Sequence, residues 1–419
     1  MKVAILTSFQ DFNEGHSLSG IVKDQITMLQ RHGNEVVLFV SENFNREKAP
    51  ENVEIRQKIP FAHLIDYMSK DDLTDEHREV ALMTQHMLEA ELVGFDAVFE
   101  HDLNFQGWHM PYGMGLVEAS RTFPQVPFMH WVHSVPSGFR DFWNVTAWGN
   151  NHRIVFPNKT DSVRVAEEFR GSLSDVKVIP HIKDIRTWFE FGEKTCQFID
   201  EYPAALNSSI VQVLPASTDK LHSKRVREVI KIFSELKKQG SSVFLICANQ
   251  YATSKQPRQN VEVLKDYAVE LGLVNGTDFV FTSDFQKPDF ECGIPKRMVR
   301  ELFQMSNLFV YPTREESFGL VIPEAALAGG VLMVLNKSLT MLLEVSGLNA
   351  VYFDFGSYHQ NHNLSAEVEK QYFQDIASII VGRMQENESV RLKTFMKRRY
   401  NMDNLYFNYY LPAIKEICS

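Results

Sequence analysis

"NLFVYPTREESFGLVIPEAALAGGVLMVLN", residues 307–336, switches twice between two kinds of local order. "NLFVYPT" is a short apolar run closed by proline, the pattern of a buried strand. "VIPEAALAGG" is an apolar helical run. Pro323 sits in its first turn, where early amides have no internal partner, and Gly-Gly ends it. "VLMVLN" is a second buried strand. Strand, loop, helix, strand implies a parallel pair joined by a right-handed crossover. In the loop, Gly319 lets the backbone turn tightly toward a ligand. The unpaired amides of the helix start, with its dipole, suit a phosphate. Glu316 and Glu324 stand either side of seven residues. A carboxylate only accepts hydrogen bonds, which fits it to sugar or ribose hydroxyls. Taken alone, two acids at this spacing are more often solvated or capping groups. The strand–loop–helix setting and the "SFGL" between them set this pair apart.

The same unit repeats outward from this stretch. Before it come "SIVQVLPAS", "SKRVREVIKIFSELKKQG", "SVFLICAN", "NVEVLKDYAVELGL", "DFVFTS" and "PKRMVRELFQMS", which alternate strand and helix. At the other end of the chain, "KVAILT" is a strand, "SFQDFNEGHSLSG" a polar loop, and "IVKDQITMLQRHG" a helix. Val22, Ile26 and Leu29 give that helix one apolar face, and Gly33 stops it. "EVVLFV" is the next strand. "AVFEH", "PFMHWVH", "RIVFPN" and "VKVIP" follow, with "EHREVALMTQHMLEAELVG" helical between. The fold class is therefore α/β, with two Rossmann-like, doubly wound domains facing a central cleft lined by strand carboxyl ends. The segment "DIRTWFEFGEKTCQFIDEYPAALNSS" shows no clear period and is expected to be a linker.

A chain of 419 residues exceeds one ordinary core and calls for two domains. Its formal charge of −10 gives no general attraction to nucleic acid or anionic lipid. Four scattered cysteines form no CxxC pair, so neither a zinc site nor a disulfide framework is expected, and Cys247 is read as a buried strand residue. No apolar run is long enough to span a membrane, and the N-terminus lacks signal-peptide character. The expected location is the cytoplasm.

The run "EESFGLVIPEAALAGG" resembles the signature of retaining glycosyltransferases of family 4, the glycogen-synthase-like group. The resemblance implies the GT-B fold, with residues 1–190 as an acceptor domain onto which 400–419 cross back, and 191–399 as the nucleotide-sugar donor domain. It implies transfer of a hexose or similar sugar from a nucleotide-diphosphate donor, most commonly a UDP-sugar, with retained configuration. It also implies no metal and no further cofactor. The absence of a DxD motif after a strand agrees with that. By position, Glu316 would face the donor sugar. Ser317, Phe318, Gly319 and Leu320 would line the sugar and distal phosphate, the last three through their amides. Glu324 would hold the ribose.

The other parts of the site are less strongly marked. The family's glycine-rich loop after the first strand is matched by Ser19 and Gly20 in "HSLSG", with one glycine in place of two. A surface loop accounts for them equally well. The family's mid-domain histidine corresponds to His133 in "HWVHSVPSG", whereas His130 lies out of phase with it. His101 and Asp102, at a neighbouring strand end, are candidates to touch the acceptor. Where the family carries an arginine and then a lysine, "PASTDKLHSKRVRE" places Asp219 and Lys224, with Lys220 adjacent as a substitute cation. Lys224, Glu316 and His133 are the expected catalytic residues. The acceptor stays open among a soluble glycan, a small molecule and a modified base of phage-type DNA. A nucleotide-sugar epimerase, a phosphorylase and a non-catalytic nucleotide-sugar binder are the competing readings. No stable membrane insertion is expected.

Overall fold

Short apolar runs become strands throughout. The computed structural model describes residues 1–12, 17–50, 52–60, 70–101, 109–133, 144–286, 290–357 and 364–418. The chain divides into two compact units, Met1–Asp184 with Tyr400–Ser419, and Ile185–Arg399. Both are α/β.

The first unit is built on seven parallel strands: β1 (Lys2–Leu6), β2 (Glu35–Ser41), β3 (Glu54–Ile59), β4 (Ala97–His101), β5 (Phe128–Trp131), β6 (His152–Phe156) and β7 (Val176–Val178). Their order is β3-β2-β1-β4-β5-β6-β7. Val3 pairs with Val36 and Ala97, so the central strands are apolar on both faces. Val3, Ile5, Leu38, Phe99 and Trp131 pack on one face. Ala4, Val37, Phe39, Val98 and Phe128 pack on the other. That division is the period of two expected of strands. On the second face the helices Asp75–Glu91 and Met110–Ser120 cross closely. A Cβ on Gly115 would lie 2.4 Å from the Ala81 carbonyl oxygen, so only glycine fits there.

The C-terminal residues belong to this first unit. Met402–Leu405, a wide π turn at Tyr406–Tyr410 and the helix Leu411–Cys418 follow one another. Pro412, which has no N–H, falls just after the wide turn and disturbs the regular ladder there. Met402, Leu405, Tyr406, Tyr410, Ala413 and Ile414 are buried against Val3, Ile5 and Trp131. Each fully buried side chain of this kind contributes roughly 1.5–3 kcal/mol.

The second unit holds two three-stranded parallel sheets. One is β8 (Ile210–Ser217), β9 (Val243–Gln250) and β10 (Phe279–Phe281), in the order β10-β9-β8. The other is β11 (Leu308–Tyr311), β12 (Leu332–Asn336) and β13 (Val351–Phe353), in that order. β8 and β11 lie side by side, joined chiefly through side chains. The Gln212 amide donates to the Val310 carbonyl at 2.9 Å and accepts from the Val310 amide at 2.8 Å. Cys247 is buried in β9.

The segment expected to be a linker is instead structured. It forms the helices Ile185–Trp188, Glu193–Glu201 and Ala204–Asn207, and Phe198, Ile199, Ala205 and Leu206 enter the core of the second unit. Gly192 and Pro203 break the run into pieces too short to display a period. Ser19 and Gly20, expected on a loop, lie in the first turns of the helix Ser17–Arg31. Residues 13–16 before it lie outside the described ones. Among the described residues, no helix is long and apolar enough to cross a membrane.

Candidate functional site

In the second unit the strand order reverses between β8 and β11. Loops leaving the carboxyl ends of strands at such a reversal are where open α/β sheets bind ligands. Lys224 lies on the connection after β8 and Glu316 on the loop after β11. The Lys224 Nζ donates to Glu316 Oε2 at 2.7 Å and to the Tyr311 hydroxyl at 2.9 Å. Tyr311 in turn donates to the same Glu316 oxygen at 2.6 Å. The Ser317 amide donates to the other Glu316 oxygen at 3.1 Å. Burial alone would raise the Glu316 carboxyl. The hydrogen bonds from Lys224 and Tyr311 and the lysine's charge override it and hold the carboxyl down at about 2. Burial, with the hydrogen bond to Glu316, pushes the Tyr311 hydroxyl up. Glu316 is therefore an anion, and Tyr311 a neutral donor fixed on it.

The turn beyond Glu316 is shaped by Gly319, whose φ of +75° lies in the left-handed region. A Cβ there would sit 3.1 Å from Ile322 Cδ1 and 3.3 Å from Glu316 Cγ. The helix Val321–Ala328 follows. The amides of Phe318, Gly319 and Leu320 donate to no group among the described residues. The side chains of Ser317, Phe318 and Leu320 are exposed. Three unpaired amides at a helix start thus stand one turn from an ionised lysine–glutamate pair.

Glu324, in the first turn, is half-buried and pairs with Lys296 at 2.6 Å. A cavity of about 480 Å³ opens beside it, lined in part by Arg300, Phe303 and Leu327. Lys220 is exposed, and its carbonyl accepts from the Lys224 amide at 2.8 Å and from the Ser223 hydroxyl at 3.2 Å. Asp219 is also exposed, and its carboxylate accepts from the Ser217 hydroxyl. Arg314 is the nearer basic neighbour by sequence to Glu316. Its amide donates to the Ser223 carbonyl at 2.8 Å and its guanidinium meets His222 Nε2 at 3.1 Å.

The candidates of the first unit gather separately. His101 ends β4, and its Nδ1 lies 2.9 Å from His133 Nε2. His133 stands just past β5 with its ring stacked between His101 and His181, at centroid distances of 5.2 Å to each. Ser19 is buried and Gly20 exposed. Asp102 lies outside the described residues. His130 faces the opposite side of the sheet, as its phase in the strand requires. There it joins a buried chain, with Nδ1 3.1 Å from Glu100 and Nε2 2.9 Å from His152. Burial lowers His130 to about 3, which keeps it neutral.

Several of these groups escaped sequence reasoning. Tyr311 read only as the end of a strand, and Lys296 only as the polar start of a helix. Nothing local in "NLFVYPT" shows that its hydroxyl bridges the two charges. Among the described residues no group of His, Cys, Asp and Glu could hold a metal ion.

No family model matches the chain, and no curated protein does. Solved structures of similar layout include a glycosyltransferase from Rickettsia africae, with 13% identity, a TM-score of 0.38, and 99% of this chain and 98% of that one covered. Another is the Anabaena protein HepE in complex with UDP and glucose, with 15% identity, a TM-score of 0.34 and 99% of each chain covered. A third is an α,α-trehalose-phosphate synthase (UDP-forming) from Burkholderia vietnamiensis, with 12% identity, a TM-score of 0.36, and 99% and 98% covered. Likenesses this distant transfer no residue's role to this chain.

Proposed function

We propose that the protein is a metal-independent, retaining glycosyltransferase of GT-B type that moves a sugar from a nucleotide diphosphate to a hydroxyl acceptor. The observation that carries the reading is the Lys224–Tyr311–Glu316 triangle beside the unpaired amides of Phe318, Gly319 and Leu320. A diphosphate needs fixed positive charge and donors that demand no reorganisation. Lys224 supplies the charge and the three amides the donors, with Lys220 as a second cation in reach of the solvent side. Glu316, ionised and immobilised by Tyr311, accepts from the sugar hydroxyls. Glu324 exchanges its exposed partner Lys296 for the ribose diol. His133 is proposed as a further contact to the sugar.

In the reaction the bond between the anomeric carbon and the diphosphate oxygen breaks, and negative charge grows on that oxygen. Lys224 and the amides stabilise it. The acceptor oxygen attacks from the face the leaving group vacates, and its proton passes to the departing phosphate. The resemblance of residues 315–330 favours a UDP-sugar as donor. Asp102 is proposed to touch the acceptor; His101, expected there with it, is instead buried with both ring nitrogens bonded to Gln25 and His133. Residues 191–399 are proposed to form the donor domain.

The test is release of nucleoside diphosphate by the purified chain across a panel of nucleotide-sugars, with glycan, small-molecule and DNA acceptors, each with and without EDTA. Release that persists in EDTA and is lost in Lys224→Met and Glu316→Gln is the expected result. A chain that binds no nucleotide diphosphate and releases none from any donor would overturn the reading. Binding without release would leave a nucleotide-sugar binder in place of an enzyme.

A further inference from the structure

Beneath His133 a line of hydrogen bonds runs through the first unit to the C-terminal segment. The Tyr410 hydroxyl, buried in the wide turn, accepts from Gln25 Nε2 at 3.0 Å and from the Trp131 indole. Gln25 Oε1 takes the Nε2 of His101 at 2.9 Å, and His101 Nδ1 takes the Nε2 of His133 at 2.9 Å. Gln25, His101 and Tyr410 are each at most 2% exposed. No water therefore competes for these bonds, and each must be satisfied from within.

The chemistry of each group sets the sense of the whole line. An amide oxygen only accepts, so His101 carries its hydrogen on Nε2. Burial first, then the neighbouring His133 and His181, keep His101 neutral. A neutral imidazole has one N–H, so His101 Nδ1 is an acceptor and His133 donates to it from Nε2. In its neutral form His133 then bears a lone pair on Nδ1. Whatever meets that nitrogen must donate to it.

We propose that Tyr410, Gln25 and His101 are positioning residues that fix His133 as the Nε2–H tautomer, so that His133 engages the substrate by accepting a hydrogen bond from a sugar hydroxyl at Nδ1. The inference rests on the reading of the protein as a sugar transferase. It ties the last residues of the chain to the sugar subsite, through side chains 385 residues apart in sequence. The ring of His133 lies nearly parallel to its neighbours, 16° from His101 and 21° from His181, which holds its plane while the hydrogen bond holds its sense.

The experiment is nitrogen NMR of the full chain labelled at histidine, with the His133 ring assigned by its loss in His133→Asn. The wild type is expected to show a bare Nδ1 and a protonated Nε2 at His133. Tyr410→Phe and Gln25→Leu are expected to release it into a mixture of tautomers. Their kcat for sugar transfer should fall on the order of tenfold, with the donor KM held within about twofold. A His133 that carries its proton on Nδ1 in the wild type means that the amide of Gln25 runs the other way, and overturns the proposal. So does a ring spectrum unchanged in both variants. The wild-type spectrum decides the sense of the line even where a variant fails to fold. A wild type that turns over no donor defeats the transferase reading, while the ring spectra still decide the tautomer.

Discussion

Lys224→Met keeps the length of the side chain and removes its charge, which isolates what the ammonium does for Glu316. In the wild type the two groups meet at 2.7 Å with side chains only 14% and 18% exposed. The variant loses that bond and the one to Tyr311, and leaves a largely buried carboxylate with Tyr311 and the Ser317 amide as donors. Hydrogen bonds to charged groups contribute about 1.5–3 kcal/mol each, so a destabilisation of about 2 kcal/mol is expected. For a unit of this size that lowers the midpoint of its unfolding transition by roughly 4–8 °C. Binding suffers more. A phosphate charge about 5 Å from an ammonium, at an effective dielectric near 20, is held by roughly 3 kcal/mol, and the bared carboxylate then repels it. UDP affinity should fall more than about a hundredfold. Adding Glu316→Gln to Lys224→Met should restore most of the stability and part of the affinity, because the orphaned charge is gone. Calorimetry of unfolding and of UDP binding measures both. A double-mutant coupling under about 0.5 kcal/mol, with UDP affinity unchanged, would refute the claim that the pair acts as a unit.

Gly319→Ala should cost more than about 1 kcal/mol, because alanine fits poorly at positive φ, and the new Cβ should displace Glu316 and weaken UDP binding; unfolding and binding isotherms check it. Lys296→Ala should leave stability within about 0.5 kcal/mol, since the ion pair with Glu324 is exposed, whereas Glu324→Gln should weaken UDP binding at unchanged stability. Equal UDP affinity in Glu324→Gln and the wild type by calorimetry would remove Glu324 from the site. The Glu316 carboxyl, at about 2 against an ordinary 4.5, is depressed on folding. Its contribution to stability is therefore complete above about 4.5 and is lost as pH falls toward 2. The gap in thermal midpoint between the wild type and Glu316→Gln should close across that window.

What the sequence made legible was local. "KVAIL" and "EVVLFV" are apolar on both faces, and that alone places them at the centre of a parallel sheet. "VREVIKIFSELKK" carries buried Val229, Ile230, Phe233 and Leu236 at helical spacing, so its inward face follows from its order. Residues 314–330 hold a turn glycine, a helix start and the acids Glu316 and Glu324 on either side of it within one short stretch. The segment 185–207 failed because helices of four, nine and four residues are shorter than the window in which a period emerges. The loop reading of Ser19 and Gly20 fails because a polar run containing one glycine does not bar a helix start, and here both residues lie in the first turns of a helix. Tyr311 and Lys224 are 87 residues apart, and Gln25 and Tyr410 far more, so only the folded chain brings them together.

The joint between β8 and β11 accounts for why Lys224 and Glu316 meet. Two neighbouring strands normally share a backbone ladder at about 4.8 Å, which leaves no room for side chains between them. Here one direct bond remains, from the Asn307 amide to the Val211 carbonyl at 3.0 Å. Around it side chains take over. Asn307 accepts from the Val211 amide at 2.9 Å, Ser306 accepts from the Val213 amide at 3.1 Å, and Gln212 pairs with both groups of Val310. An amide placed between two strands satisfies buried backbone groups while setting the strands farther apart than a ladder would. The connections to Lys224 and Glu316 begin at the carboxyl ends of these two strands. Tyr311, the last residue of β11, is buried there, and its hydroxyl bonds to both Lys224 and Glu316. Gln212 on β8, with Ser306 and Asn307 just before β11, thus replaces a backbone ladder with side-chain bonds beside the charged site.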